Sequence, residues 1–120
     1  MDAPPLVDRL LRALNQHDLT AFLDLFHADF RSEQPLRPES SFVGREHVGA
    51  NWAWKLSDPA SDFHAEALRW AASGEELWVE WRWTHTRPGG EQVDLQGICV
   101  YGVESERFAW ARLYMGDVPR

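Results

Sequence analysis

Cysteine is scarce in this sequence, since it occurs once among 120 residues, as Cys99. One cysteine cannot form an internal disulfide, so we expect the chain in a reducing compartment, the cytoplasm. No apolar run approaches the roughly 20 residues of a membrane-spanning helix, so no membrane partner is expected. The opening residues, MDAPP, lack the basic start and apolar stretch of a signal peptide.

Basic clusters are also missing from the sequence. The formal net charge is −7 and the acidic residues are scattered along the chain, which is typical of a well-solvated surface. Because no basic run could neutralise phosphates, we expect no nucleic-acid partner. No glycine-rich phosphate loop, no G-x-S-x-G motif and no metal-ligand spacing backed by a second cluster occurs, so neither cofactor nor metal is predicted.

Tryptophan, by contrast, is abundant in a chain whose hydrophobic fraction is 44%. The length and composition predict one domain over residues 1–120 with a sizeable core. Many large indoles in so small a domain indicate either a wide sheet surface or an aromatic cavity. The seven tryptophans are Trp52, Trp54, Trp70, Trp78, Trp81, Trp83 and Trp110.

Hydrophobic periodicity predicts helices early in the chain and strands late. Pro4 and Pro5 suit the first turn of a helix, and Asp18 suits the N-cap of a second. Short turn-forming links between the late strands favour antiparallel hairpins, so we expect an α+β fold with three N-terminal helices packed on a curved antiparallel sheet around a cone-shaped pocket. The helices are expected at 5–16, 19–27 and 45–56, a short strand at 29–34, a loop at 35–41, and long strands at 63–72, 76–87, 92–103 and 107–115.

Alternation along each strand separates an inner face from an outer one. Over residues 77–85 the nearly apolar set should face the helices, and it comprises Leu77, Val79, Trp81, Trp83 and His85. In the next strand the two sets are similarly apolar, so alternation does not decide between them. In the last strand, Ala111, Leu113 and Met115 alternate with Trp110, Arg112 and Tyr114.

The outer face combines aromatic side chains with arginine and has no lysine. That composition is typical of the core of a protein–protein interface. We therefore expect a homodimer built on this face, through Trp78, Arg82, Trp110, Arg112 and Tyr114.

The order of the predicted elements, together with several short motifs, resembles the nuclear transport factor 2-like superfamily, specifically its SnoaL-like and ketosteroid-isomerase-like members. The resemblance covers nearly the whole chain and implies a cone-shaped fold with an internal pocket. The motifs that carry it are LLRALNQHD at 10–18, LFHADF at 25–30, FVGRE at 42–46, VEWRWT at 79–84 and WARLY at 110–114.

The reactions best known for this superfamily are not expected here. Ketosteroid isomerases would use a tyrosine, a carboxylate base and a protonated aspartate at positions that match Leu10, Gln34 and Ile98. Leucine and isoleucine donate no hydrogen bond, and glutamine is no base near neutral pH. Limonene epoxide hydrolases would need an aspartate in the last strand, where the matching residue is Leu113, with Arg82 as a stand-in for their arginine.

Two sets of candidate site residues remain. His85 ends the apolar row and titrates near neutral pH, and Asp94 is a plausible cross-hairpin neighbour, so the pair is a candidate general base and its orienting carboxylate. A pocket with apolar walls and a few amide groups is what ligand sites look like. The candidate ligand-binding residues are Gln34, Asn51, Trp52, Val79, Trp81, Trp83, Gln96, Ile98, Leu113 and Met115.

These observations leave three function hypotheses. The leading one is a SnoaL-like domain that binds a small hydrophobic molecule without a covalent cofactor. The second is an isomerase, cyclase or hydrolase that acts on a small apolar substrate with His85 as base. The third is a dimeric interaction module whose cavity is filled by Trp52 and Trp83. The state of the cavity and the groups that converge on it discriminate among them.

Overall fold

The computed structural model describes residues 3–119. Residues 1–2 and 120, which belong to the predicted domain and, at the start, to the MDAPP opening, lie outside this range. The loop predicted at 35–41 contains a single-turn 3-10 helix at Pro38–Ser40. The remaining elements are α1 (Pro5–Asn15), α2 (Leu19–Leu23), β1 (Phe26–Glu33), β2 (Phe42–Val43), α3 (Arg45–Ser57), β3 (His64–Ser73), β4 (Glu76–Thr86), β5 (Gln92–Glu104) and β6 (Arg107–Asp117).

The first and third helices lie close to their predicted bounds. Proline occupies the first turn of α1, where its missing N–H costs nothing, and the helix buries Leu6, Val7, Leu10, Ala13 and Leu14. His17, with φ at 53°, follows the end of α1 and turns the chain towards α2. In α3, Val48 and Leu56 are buried, and Trp52 lies partly buried between them.

The second helix is shorter than the sequence predicts. Asp18 does cap it, since its Oδ1 accepts a hydrogen bond from the Ala21 amide at 3.0 Å. The helix ends at Leu23, however, and Phe26 begins β1 instead of completing a helical stripe. The extended backbone lets the Phe26 ring contact those of Phe22 and Phe30, at centroid distances of 4.9 and 4.8 Å. It also brings Phe26 into register with Phe108 of β6.

The sheet has six strands in the order β2-β1-β6-β5-β4-β3. Its four long strands pair antiparallel, as predicted, and β1 joins the edge of β6 in parallel. The two-residue strand β2 lies between the predicted loop at 35–41 and the predicted helix at 45–56, where the sequence predicts no strand, and it pairs antiparallel with β1. The sheet is curved and unclosed, and with the three helices it confirms the predicted α+β cone.

The register between β4 and β5 resolves the face that alternation left open. Val79 lies opposite Cys99 and Trp81 opposite Gly97, so the odd-numbered residues of this part of β5 face inward. Gln96 and Ile98 therefore lie on the outer face, and Ile98 is 40% exposed. The expectation that these two residues line the pocket is thus wrong in its choice of face.

Close approach of β5 to β6 requires glycine at position 97. A Cβ there would lie 2.0 Å from the Tyr114 carbonyl oxygen, and the φ of +157° is one that other residues rarely adopt. On the inner side, the indole N–H of Trp81 donates to the Tyr101 hydroxyl at 3.1 Å, which satisfies the most deeply buried tryptophan of β4. Within residues 3–119, no helix is long and apolar enough to cross a membrane.

Candidate functional site

A cavity of about 340 Å³ lies between the helices and the inner face of the sheet. Its walls are mostly apolar, and they come from all three helices, from the loop after β1 and from strands β1, β2, β4, β5 and β6. A few polar groups break this surface, among them Ser32, Gln34 and Asn51. The apolar part of the lining is Leu10, Leu14, Phe22, Phe26, Phe30, Phe42, Val48, Trp52, Trp83, Leu95, Ala111, Leu113 and Met115.

The structure brings together six of the predicted ligand-binding residues on this cavity: Gln34, Asn51, Trp52, Trp83, Leu113 and Met115. Val79 and Trp81 share the inner face of β4 but are 0% exposed, and they belong to the core behind the cavity wall. Their predicted ligand contacts therefore do not fit their positions. The predicted meeting of Trp52 with the β4 row is confirmed, since its ring lies 5.4 Å from that of Trp83.

The proposed His85–Asp94 arrangement does not form as the sequence predicts. His85 lies opposite Val93, and Asp94 lies opposite Thr84, so the two side chains leave the hairpin on opposite faces. Asp94 instead holds Arg82 through two hydrogen bonds, of 3.1 and 2.8 Å. Neither His85 nor Asp94 lines the main cavity, and both border a separate polar hollow.

His85 is buried and packed between rings. Its ring centroid lies 5.2 Å from that of Trp54 and 6.1 Å from that of Phe63. Burial lowers its pKa, and the cations Lys55 and Arg87 lower it further, while Asp62 acts in the opposite direction. Its Nδ1 has no hydrogen-bond partner within residues 3–119, so no carboxylate orients the ring through that nitrogen, and the lowered pKa favours the neutral imidazole.

Lys55 is a cavity residue that the sequence reading missed. It lies on α3 one turn after Trp52, and its Nζ stands 4.3 Å from the centroid of the Trp52 ring and 5.4 Å from that of Trp54. Burial, and then the charge of Arg87, lower its pKa to about 8. The available signal was its rarity, because the chain has eleven arginines but only this one lysine.

Other reactive groups are poorly placed for chemistry. Cys99 is fully buried, and burial raises the pKa of its thiol to about 12, so it is protonated at neutral pH. Within residues 3–119, no group of three or more His, Cys, Asp or Glu side chains could hold a metal ion. The indole N–H of Trp83, on the cavity wall, has no partner within the same residues.

Three helices packed on a curved, unclosed sheet are the cone fold of nuclear transport factor 2-like structures. The sequence model of the SnoaL-like domain family matches residues 7–111, and the chain belongs to this family. A comparison with curated protein sequences gives no significant match.

Solved structures share the fold at low sequence identity. A computationally designed binder of 17-OHP superposes with a TM-score of 0.76 at 20% identity, covering 94% of this chain and 95% of that one. A Mycobacterium tuberculosis protein in complex with estradiol-17β-hemisuccinate gives 0.75 at 20% identity, with 91% and 89% covered. An epoxide hydrolase from M. tuberculosis, described as LEH-like, gives 0.76 at 19% identity, with 92% and 80% covered.

Proposed function

We propose that residues 1–120 form one SnoaL-like domain that binds a small hydrophobic molecule in the cavity between the helices and the sheet. The observation that carries this proposal is the cavity itself, whose volume of about 340 Å³ and mainly apolar wall suit a small ligand. The 17-OHP binder and the estradiol-17β-hemisuccinate complex show that the same fold accommodates such molecules in other proteins.

The cavity favours binding over the two other hypotheses. The enzyme hypothesis needs His85 and Asp94 against the substrate, but both lie outside the cavity wall. The positions that would carry isomerase or epoxide hydrolase chemistry hold Leu10, Gln34 and Leu113 on that wall. An interaction module would have a filled cone, whereas Trp52 and Trp83 line the space and leave it open.

The test is a titration with N-phenyl-1-naphthylamine, an uncharged apolar dye that fluoresces when it leaves water. We expect saturable binding by the native chain. Leu113→Trp adds bulk to the cavity wall and should weaken the affinity by about tenfold or more, because the ligand and the new ring compete for one space.

Gln96→Trp is the matched control, because it adds the same ring to the outer face of the neighbouring strand. It should leave the affinity unchanged. If the native chain shows no saturable binding of this dye or of a broad set of apolar compounds, or if the two variants weaken it equally, ligand binding in this cavity is refuted and the interaction-module hypothesis takes its place.

We also propose that the protein is a homodimer through the outer face of the sheet, and we keep the cytoplasmic location as a prediction from its single cysteine. Support for the dimer comes from apolar side chains left exposed on three adjacent strands. Trp78 is 45% exposed, Ile98 40% and Tyr114 38%. Arg82 and Arg112 beside them are paired with Asp94 and Glu33, so their charges are largely compensated.

A further inference from the structure

The cavity carries a charge bias that is opposite to that of the chain. The sequence has 19 acidic residues against 12 basic ones, and a net charge of −7. Among the described residues, those lining the cavity include two cations, Lys55 and Arg37, and no aspartate or glutamate. A wall that is apolar apart from two amides, two hydroxyl groups and two cations is selective for the sign of the charge on a ligand.

The two cations differ in whether they have a hydrogen-bond partner within the protein. The guanidinium of Arg37 donates to the backbone oxygen of Met115 at 3.0 Å, so it is anchored at the end of β6. The ammonium of Lys55 rests over the Trp52 and Trp54 rings, which attract a cation but accept no conventional hydrogen bond. The ion pairs found within residues 3–119 all involve arginine, which leaves the three N–H donors of Lys55 without a carboxylate.

Strand register places both cations at one end of the cone. Met115, which accepts from Arg37, lies opposite Gly97, and Asp117 lies opposite Leu95. Leu95 in turn lies opposite Trp83, the residue whose ring meets Trp52 beside Lys55. The two cations therefore stand near the same end of the strands that form the wall, while the rings of Phe22, Phe26 and Phe30 form an apolar part of the lining.

We propose that the ligand of this cavity is an amphiphilic anion, an apolar body that carries one carboxylate or sulfonate group, and that Lys55 binds this group. The inference rests on the proposed function and names its ligand class. An anion would supply the partner that the partly buried ammonium lacks, and a charge-assisted hydrogen bond beside an apolar wall is stronger than one in bulk water. The lowered pKa of Lys55 agrees with this, because it reflects lost solvation that no acidic neighbour offsets.

A matched pair of dyes tests the proposal. 1-Anilinonaphthalene-8-sulfonate and N-phenyl-1-naphthylamine share one ring skeleton and differ by a single sulfonate, so the ratio of their dissociation constants isolates the charge. At pH 7, we expect the native chain to prefer the sulfonate. Lys55→Met should reduce that preference by about tenfold or more, and Lys55→Arg should keep most of it.

Arg87→Gln is the matched control, because it removes an equal charge close to Lys55 from a residue that does not line the cavity. It should change the ratio by less than about twofold, since an exposed charge is screened by salt. Circular dichroism establishes that each variant is folded.

Four outcomes are distinguishable. Loss of the preference in Lys55→Met, with retention in Lys55→Arg and Arg87→Gln, supports the proposal. No preference in the native chain, or a preference that Lys55→Met leaves intact, overturns it while binding of the neutral dye still upholds the proposed function. An equal loss in Lys55→Met and Arg87→Gln also overturns it, because the preference would then depend on the overall positive charge of this region and not on a contact with Lys55. If neither dye binds, the proposed function fails and this inference fails with it.

Discussion

Lys55 is a cation that the fold holds where a cation is costly. Its amine lies over two indole rings at the cavity, so the charged form loses water contacts that the unfolded chain would keep. The rings return part of that loss by cation–π attraction. The net effect is unfavourable, since the pKa of the amine falls from 10.5 to about 8.

This shift predicts how stability depends on pH. Between about pH 8 and 10.5 the unfolded chain binds more protons at Lys55 than the folded chain does, so the contribution of this residue to stability rises with pH. Below pH 8 the cost is fully present. We therefore expect Lys55→Met to be more stable than the native chain at pH 7, with an advantage that shrinks as the pH approaches 10.5.

The measurement is the difference in unfolding free energy between the two chains in denaturant titrations at several pH values. We compare the two chains because burial raises the pKa of Cys99 and Tyr101, and both groups lower stability at alkaline pH. Their effect is the same in either chain and cancels in the difference. His85, whose pKa is lowered by burial and by the charge of Lys55, stays neutral throughout this window and does not add to the difference. If the difference in unfolding free energy did not change from pH 7 to 10.5, the lowered pKa of Lys55 would be contradicted.

At the scale of single elements, helix α1 is fastened to the outer edge of the sheet by one side chain. The Asn15 amide donates to the Ala65 carbonyl at 2.9 Å, and its oxygen accepts from the Ala65 N–H at 2.8 Å. Strand β3 is the last in the sheet order, so this edge has no further strand to pair with. The asparagine thus substitutes for part of a neighbouring strand and protects the edge.

Asn15→Ala should lower the unfolding free energy by about 1–2 kcal/mol, because two partly buried backbone groups lose their partners while water can still reach them in part. Gln16→Ala, the neighbouring exposed position, is the control and should cost less than about 0.5 kcal/mol. Hydrogen exchange gives a local readout, since the Ala65 amide should lose protection in the first variant alone. Equal effects of the two substitutions would remove the special role of Asn15.

The elements also show how far sequence reasoning reaches. Helix α1 and strand β4 were predictable because their apolar residues repeat with the period of one secondary structure over about ten positions, and short turn-forming links marked the bounds of the other long strands. The end of α2 was not, since Phe26 continues a helical spacing that is overridden by pairing with Phe108, 82 residues away. In β5 the face was undecidable because both alternating sets are apolar, and the register with Val79 and Trp81 settled it.

The site was less predictable than the fold. Trp52, Trp83, Leu113 and Met115 followed from alternation and helical spacing, which depend only on local geometry. The mistaken His85–Asp94 pairing came from a hairpin register shifted by one residue, which moves a side chain to the other face. Lys55 was missed because its place on the cavity wall depends on how α3 packs against the sheet, although its contact with Trp52, three residues earlier on the same helix, is local.

At the scale of the whole molecule, the sheet has two faces with different surroundings. The inner face is covered by helices, whereas the outer face leaves large apolar side chains in water. The strand register places Ile98 of β5 between Glu80 of β4 and Tyr114 of β6. Trp78 lies two residues before Glu80 on β4, opposite Val100. Val100 is only 5% exposed although it is on this face, which shows how densely its neighbours already pack. Such a patch on a twisted sheet is suited to meeting an identical copy of itself.

The dimer is tested by placing charge in that patch. Ile98→Glu together with Tyr114→Glu would set four carboxylates against one another across a twofold interface, and we expect the molar mass from light scattering to fall from twice 13.8 kDa to 13.8 kDa. Trp110 is left intact, because its indole covers Gly102 and its removal would disturb the strands themselves. Leu36→Glu is the control, since this residue is 69% exposed and lies in the loop between β1 and β2, outside the strands that carry the patch. It should remain dimeric. A native chain that is monomeric at micromolar concentration, or a control that dissociates like the test variant, would rule out an interface on this face.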